Sequence, residues 1–149
     1  MKQAEITEIV NKIYPLISAN YKSNAKVELY TNIFDRLNAI PGCGVGEDKA
    51  FAEYSWDTNK IYLYTSNMKC EEDIIRSLIH ECVHSTQSKL LFDIYYEFGY
   101  TYDTHPYEVK ARNAEENWKD YKFAEFDEWM DNLIKVNGTT EYVISNTND

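Results

Sequence analysis

Apolar residues recur at three- and four-residue steps near the N-terminus, at Ile6, Ile9, Val10, Ile13, Leu16 and Ile17. That stripe predicts a helix packed on one side. Pro15 is expected to kink or end it, because proline has no amide hydrogen to donate. The period then changes to two: Val27 to Tyr30 reads as a short strand, and the segments Phe51 to Trp56 and Lys60 to Tyr64 alternate around Asp57-Thr58-Asn59 as a β-hairpin does. Helical spacing returns from Glu71, with Ile74, Ile75, Leu78, Ile79 and Val83 on one face. Glu71, Glu72 and Asp73 crowd its first turn, where the helix dipole favours acids. Beyond Leu91 an aromatic and irregular stretch is expected as far as His105. Pro106 suits a first helical position and opens a helix predicted through Trp118. A last helix around Phe126 to Val136 should close at Asn137-Gly138.

These elements predict an α+β fold in which a small antiparallel sheet packs on the helix that follows it. At 149 residues the chain suits one domain, residues 1–149. Hydrophobic residues at 44% and charged residues at 27% are ordinary globular values, so disorder is expected only in the tail from Ser145 to Asp149. The glycine-rich loop Pro41-Gly42-Cys43-Gly44-Val45-Gly46 has no Lys-Ser/Thr after it and no long apolar strand before it, so it does not read as a phosphate cradle.

A net charge of −10 with no basic stripe argues against nucleic acid and anionic membrane surfaces as partners. No run approaches the roughly 18 apolar residues of a membrane span, and the acidic, amphipathic first residues do not resemble an export signal. Cys43, Cys70 and Cys82 cannot all pair and match no zinc-ribbon spacing, so a reducing, cytoplasmic compartment is expected. Cys82 reads as a small buried side chain. Thirteen tyrosines, many between Tyr95 and Tyr107, either wall the core or line a groove.

The chemistry lies in His80-Glu81-Cys82-Val83-His84. Residues four apart on a helix share a face, so the rings of His80 and His84 can aim at one point, and that point can hold a zinc ion. Glu81 stands about 100 degrees further round, beside the metal but not on it. Zinc lowers the pKa of bound water from about 15.7 to roughly 7, and Glu81 is positioned to take the proton and deliver it to a leaving amine.

This arrangement resembles the zincin metallopeptidases, whose active-site helix carries HExxH behind the edge strand of a small sheet. The matching piece runs from about Phe51 to Gln87 and is most specific from Ile79 through Gln87. The resemblance implies an edge strand, either Lys60 to Tyr64 or Phe51 to Trp56, that binds an extended peptide antiparallel to itself. Gln87 and Leu90 stand where metzincins carry glycine and a third histidine, which excludes that subclass. Downstream, His105-Pro106-Tyr107-Glu108-Val109-Lys110-Ala111-Arg112 is similar to the Asn-Pro-x-Glu-x-Glu-Ala stretch of small gluzincin-like peptidases, in which the first glutamate binds zinc. The resemblance therefore implies His80, His84 and Glu108 as ligands of Zn2+. The chain departs from that pattern at His105 and Lys110, and Arg112 replaces the aspartate of thermolysin-like enzymes.

The residues alone leave other roles open. Glu108 also fits an acidic first turn paired with Arg112, and Glu115, on the same helical face, is the next candidate ligand, ahead of Asp103 and His105. His105, Tyr102 or Tyr107 could donate to the oxyanion, and Gln87 could either support a ligand or face solvent. The expected function is a zinc-dependent metallopeptidase acting on a peptide or protein substrate. The alternative is a catalytically silent, zincin-fold metal-binding protein that works as a protein-binding module. Metal-assisted hydrolysis of another carbonyl or amide substrate is a third.

Overall fold

The computed structural model describes residues 1–33, 35–36 and 50–121. Helix α1 (Gln3–Tyr21) buries Ile6, Ile9, Val10, Ile13 and Ile17, each side chain contributing roughly 1.5–3 kcal/mol of hydrophobic stabilisation. Leu16 falls outside this stripe and is 55% exposed. Pro15 does not end the helix, which runs through it to Tyr21. Pro15 and Asn11, whose carbonyl it leaves without an intrahelical partner, are both exposed, while Ile13 and Ile17 anchor the helix on either side. The helix stops at Lys22, in the left-handed conformation with φ 58°, where the amides of Lys22 and Ser23 donate to the carbonyls of Ala19 and Ser18.

Strands β1 (Lys26–Tyr30), β2 (Ala52–Ser55) and β3 (Lys60–Tyr64) form one sheet in the order β1-β3-β2. The hairpin is present: β2 runs antiparallel to β3, with Glu53 opposite Tyr62. The sheet is nevertheless mixed and not the purely antiparallel one expected, because β1 pairs parallel to β3 in the register Val27 to Ile61. Parallel neighbours need a long connection, and β1 is separated from the hairpin by far more chain than a turn. With β3 in the centre, β1 and β2 are the edges.

Helix α2 (Glu71–His84) lays Ile74, Ile75, Leu78, Ile79, Cys82 and Val83 against Ile61 and Leu63 and the apolar face of α1. Tyr62 and Tyr64 alternate to the other side of the sheet, where they pack with Ile33. There the guanidinium of Arg36 donates to Tyr64 and Glu53, both at 2.7 Å, and lies over the Tyr62 ring.

The segment expected to be irregular after Leu91 is instead largely helical. Helix α3 (Lys89–Glu97) starts at Ser88, whose side chain accepts from the Leu91 amide; Leu90, Leu91, Ile94 and Tyr95 recur along it at helical spacing, although none of its residues is completely buried. Helix α4 (Pro106–Ala114) begins at proline as expected, and a 3-10 turn (Glu115–Asp120) carries the chain past Trp118. The described residues thus form an α+β arrangement of four helices and a three-stranded mixed sheet. None of these helices is long and apolar enough to cross a membrane. Cys82 is buried and Cys70 exposed, both free. The Pro41–Gly46 loop with Cys43, the helix expected at Phe126 to Val136 and the tail lie outside the described residues.

Candidate metal centre

Helix α2 presents His80 and His84 to α4, which approaches closely because a residue packed between them is Ala111, fully buried and only a methyl group wide. Glu108, one turn earlier on α4, then meets both rings. Its Oε1 lies 3.2 Å from His80 Nε2 and 2.8 Å from His84 Nε2, and the two nitrogens are 3.1 Å apart. All three side chains are buried.

Hydrogen bonds on the far side of each ring set the tautomers. Gln87 donates through Nε2 to the Tyr107 carbonyl at 3.3 Å, which turns its Oε1 toward His84 Nδ1 at 2.7 Å. An amide oxygen only accepts, so His84 Nδ1 carries the proton and Nε2 presents a lone pair. Glu115 plays the same part for His80, its Oε2 lying 2.6 Å from Nδ1. In the neutral tautomers two ring lone pairs and a carboxylate oxygen converge without a donor among them, an arrangement that either a proton on one ring or a metal ion satisfies.

Two of the triangle's three edges are of the size found in a zinc site, and the third, 2.8 Å, is shorter. Donors bound at 2.0–2.1 Å in tetrahedral geometry are about 3.3–3.4 Å apart, within a few tenths of an ångström of two of the three edges. Among the described residues this is the one trio of His, Cys, Asp or Glu whose donor atoms come together in this way. Comparison with family models, curated proteins and solved structures found no match.

The other candidate ligands lie elsewhere. Glu115 is held on the Nδ1 side of His80 and supports the ring from behind. His105 caps α4: its Nδ1 accepts from the Tyr107 amide at 3.0 Å and its Nε2 donates to the Phe92 carbonyl at 2.8 Å. Both ring nitrogens are thereby used, which removes His105 as a ligand and as an oxyanion donor. An acceptor at the cap is also what asparagine would provide there. Arg112 does not pair with Glu108; it donates to the carbonyls of Tyr102 and Asp103 and stacks under the Tyr102 ring. Tyr107 packs against His105 and Tyr95.

One residue at the site belongs to the tyrosine-rich stretch but is not singled out by its sequence position. Tyr96, on α3, donates to Glu108 Oε2 at 3.3 Å, and Phe92, one turn before it, packs edge-on against His84. Spacing of four on a helix could have linked the two, had α3 been recognised as helical. Trp56 closes the other side of His84 and donates to the Gln87 carbonyl at 3.1 Å.

The electrostatics follow from the same contacts. Burial alone would raise Glu108, but hydrogen bonds from His80 and His84 outweigh it and hold the carboxyl far below its ordinary value. Burial likewise opposes a charge on His80, yet its bonds to Glu108 and Glu115 and the charge of Glu81 raise its pKa to about 10. A raised folded-state value stabilises the metal-free protein fully below the unfolded pKa, near 6.5, and that contribution is lost as pH climbs toward 10. Chelator-treated protein is therefore expected to melt progressively lower between those pH values. A flat melting profile across that window contradicts the assignment.

The supporting bonds make a separate prediction. Replacing either Gln87 by Leu or Glu115 by Gln should weaken zinc binding about 10- to 100-fold in chelator competition, the usual effect of losing such an outer partner. Unchanged affinity in both variants would mean that these bonds do not orient the rings.

Proposed function

We propose that the chain is a zinc-dependent metallopeptidase of zincin-like architecture. The observation that carries this reading is the convergence of three buried acceptors from His80, His84 and Glu108 beside a cavity with Glu81 in its wall. Zinc held there supplies a Lewis acid for a substrate carbonyl and brings the pKa of water to about 7.

The remaining work falls to the chain's own side chains. Burial pushes Glu81 above the usual carboxylate range, although His80 and His84 pull it down, and a base shifted in that direction is better matched to neutral pH. Glu81 takes a proton from the attacking water and passes it to the leaving amine. The Tyr96 phenol, pushed up to about 12 chiefly by burial, stays protonated and keeps its hydrogen bond to Glu108 Oε2. Tyr102, in the cavity wall, is the phenol placed to donate to the carbonyl oxygen as it gains charge.

Strand β2 suits the substrate. Tyr64 donates its amide to the Phe51 carbonyl at 2.9 Å, so Phe51, Glu53 and Ser55 bond to β3, while the backbone groups of Ala52 and Tyr54 turn to the open edge. An extended peptide added there would pass the cavity, which has Ala50, Phe51 and Ala52 on one wall and His80 and Glu81 on the other. β3 cannot take this role, since β1 and β2 flank it.

A catalytically silent metal-binding module that docks proteins is the second reading, favoured by Leu90 and Phe98, which are 68% and 78% exposed on α3 and just after it. A peptide-library digest separates the two. Zinc-loaded protein should cleave, lose cleavage on chelation and regain it with zinc. One equivalent of zinc bound without cleavage favours the module, and failure to bind zinc ends both.

A further inference from the structure

The cavity beside the proposed metal site has a volume of about 260 Å3, room for one long side chain, and extends from His80 and Glu81 toward the start of α2. Its charge is lopsided. Arg76 stands in the wall but is already surrounded: Glu72 lies at 2.7 Å, Glu116 at 3.1 Å and Glu115 at 3.8 Å. Asp73 and Glu81 add two further carboxylates to the same wall. Even with a divalent cation held by His80, His84 and Glu108, this end of the molecule remains negative.

A second observation is independent of charge. Ser77 lies in the cavity wall, is only 7% exposed, and its hydroxyl has no hydrogen-bond partner among the described residues. A buried hydroxyl is normally satisfied, either by the carbonyl a turn earlier or by another group. Ser77 is one turn before Glu81 on α2, so a group entering the cavity past Glu81 reaches it. Opposite, Phe51 and the two flanking alanines offer an apolar wall for a methylene stem.

We propose that this cavity selects a cationic side chain, lysine or arginine, of a peptide lying along β2, with Asp73 and Ser77 receiving the charged end and Phe51 the stem. The inference rests on the metallopeptidase reading and adds to it a substrate class. Arg76, neutralised by its three acids, does not compete as an anchor for acidic side chains.

The test uses zinc-loaded full-length protein and three short peptide hydroxamates, identical except for lysine, norleucine or glutamate beside the zinc-binding group. Lysine is expected to bind about 10-fold or more tighter than norleucine, in keeping with a hydrogen-bonded charge, and glutamate weakest. Asp73→Asn, which keeps an acceptor for the Lys69 amide, and Ser77→Ala should each shrink the lysine-to-norleucine ratio several-fold. Equal binding of lysine and norleucine, a preference for glutamate, or an undiminished ratio in both variants overturns this inference alone. Binding of none of the three overturns it together with the reading on which it rests.

Discussion

Glu81→Gln is expected to retain one equivalent of zinc and to lose peptide hydrolysis by about 10²–10⁴-fold, the span contributed by a positioned general base. The substitution preserves size and shape while removing the basic lone pair. Glu81 is not among the three converging donors, so the metal should stay. Its partial burial against His80 and the cavity wall also means that the neutral amide relieves a desolvated charge, and the fold should not weaken. Paired measurements of kcat/KM and zinc content decide the matter. A variant that hydrolyses at nearly the original rate would remove Glu81 from the mechanism, whatever the zinc content.

Glu108→Ala should fail in the opposite order, losing metal first and activity as a consequence. Apparent binding free energies of roughly 10 kcal/mol or more are shared over the ligands of a zinc site, so deleting one of three costs about a hundredfold or more in affinity. The loss is sharpened because one oxygen, Oε1, contacts both histidines, and because Tyr96 then loses its acceptor. Chelator competition should show the drop, and excess zinc should restore part of the activity. Zinc affinity within a few-fold of the original would identify another group as the third ligand. The contrast with Glu115→Gln is informative, since that carboxylate contacts the far side of the same ring.

Of the fold, the parts written in local periodicity were legible. The stripes of α1 and α2 and the alternation of the hairpin each report a face that must be buried, and burial follows period. Of the two outcomes expected at Pro15, a kink or an end, the helix does not end, because the cost of proline depends on whether the orphaned carbonyl is dry or wet, and Asn11 is exposed. Helix α3 was legible too, since Leu90, Leu91, Ile94 and Tyr95 keep helical spacing behind a Ser88 cap, but the dense aromatic run obscures that period; what the pattern does not tell is that Phe92 packs on His84, His105 and Trp56. The direction of β1 could not be read because parallel and antiparallel strands have the same two-residue pattern; the connection alone distinguishes them.

By itself the sequence determined that His80, Glu81 and His84 share one helix, since helical geometry puts residues four apart on one face and Glu81 beside them. It also limited the third partner to a few acids and one histidine downstream. Tertiary structure shows which of them meets both rings. Glu108 and Glu115 are the same residue type on the same stretch of chain, and they differ only in which ring nitrogen of His80 they reach: Nε2, turned inward to His84, or Nδ1, turned away. That distinction depends on how closely α4 crosses α2 over Ala111, a distance set by packing between elements and recorded in no local pattern.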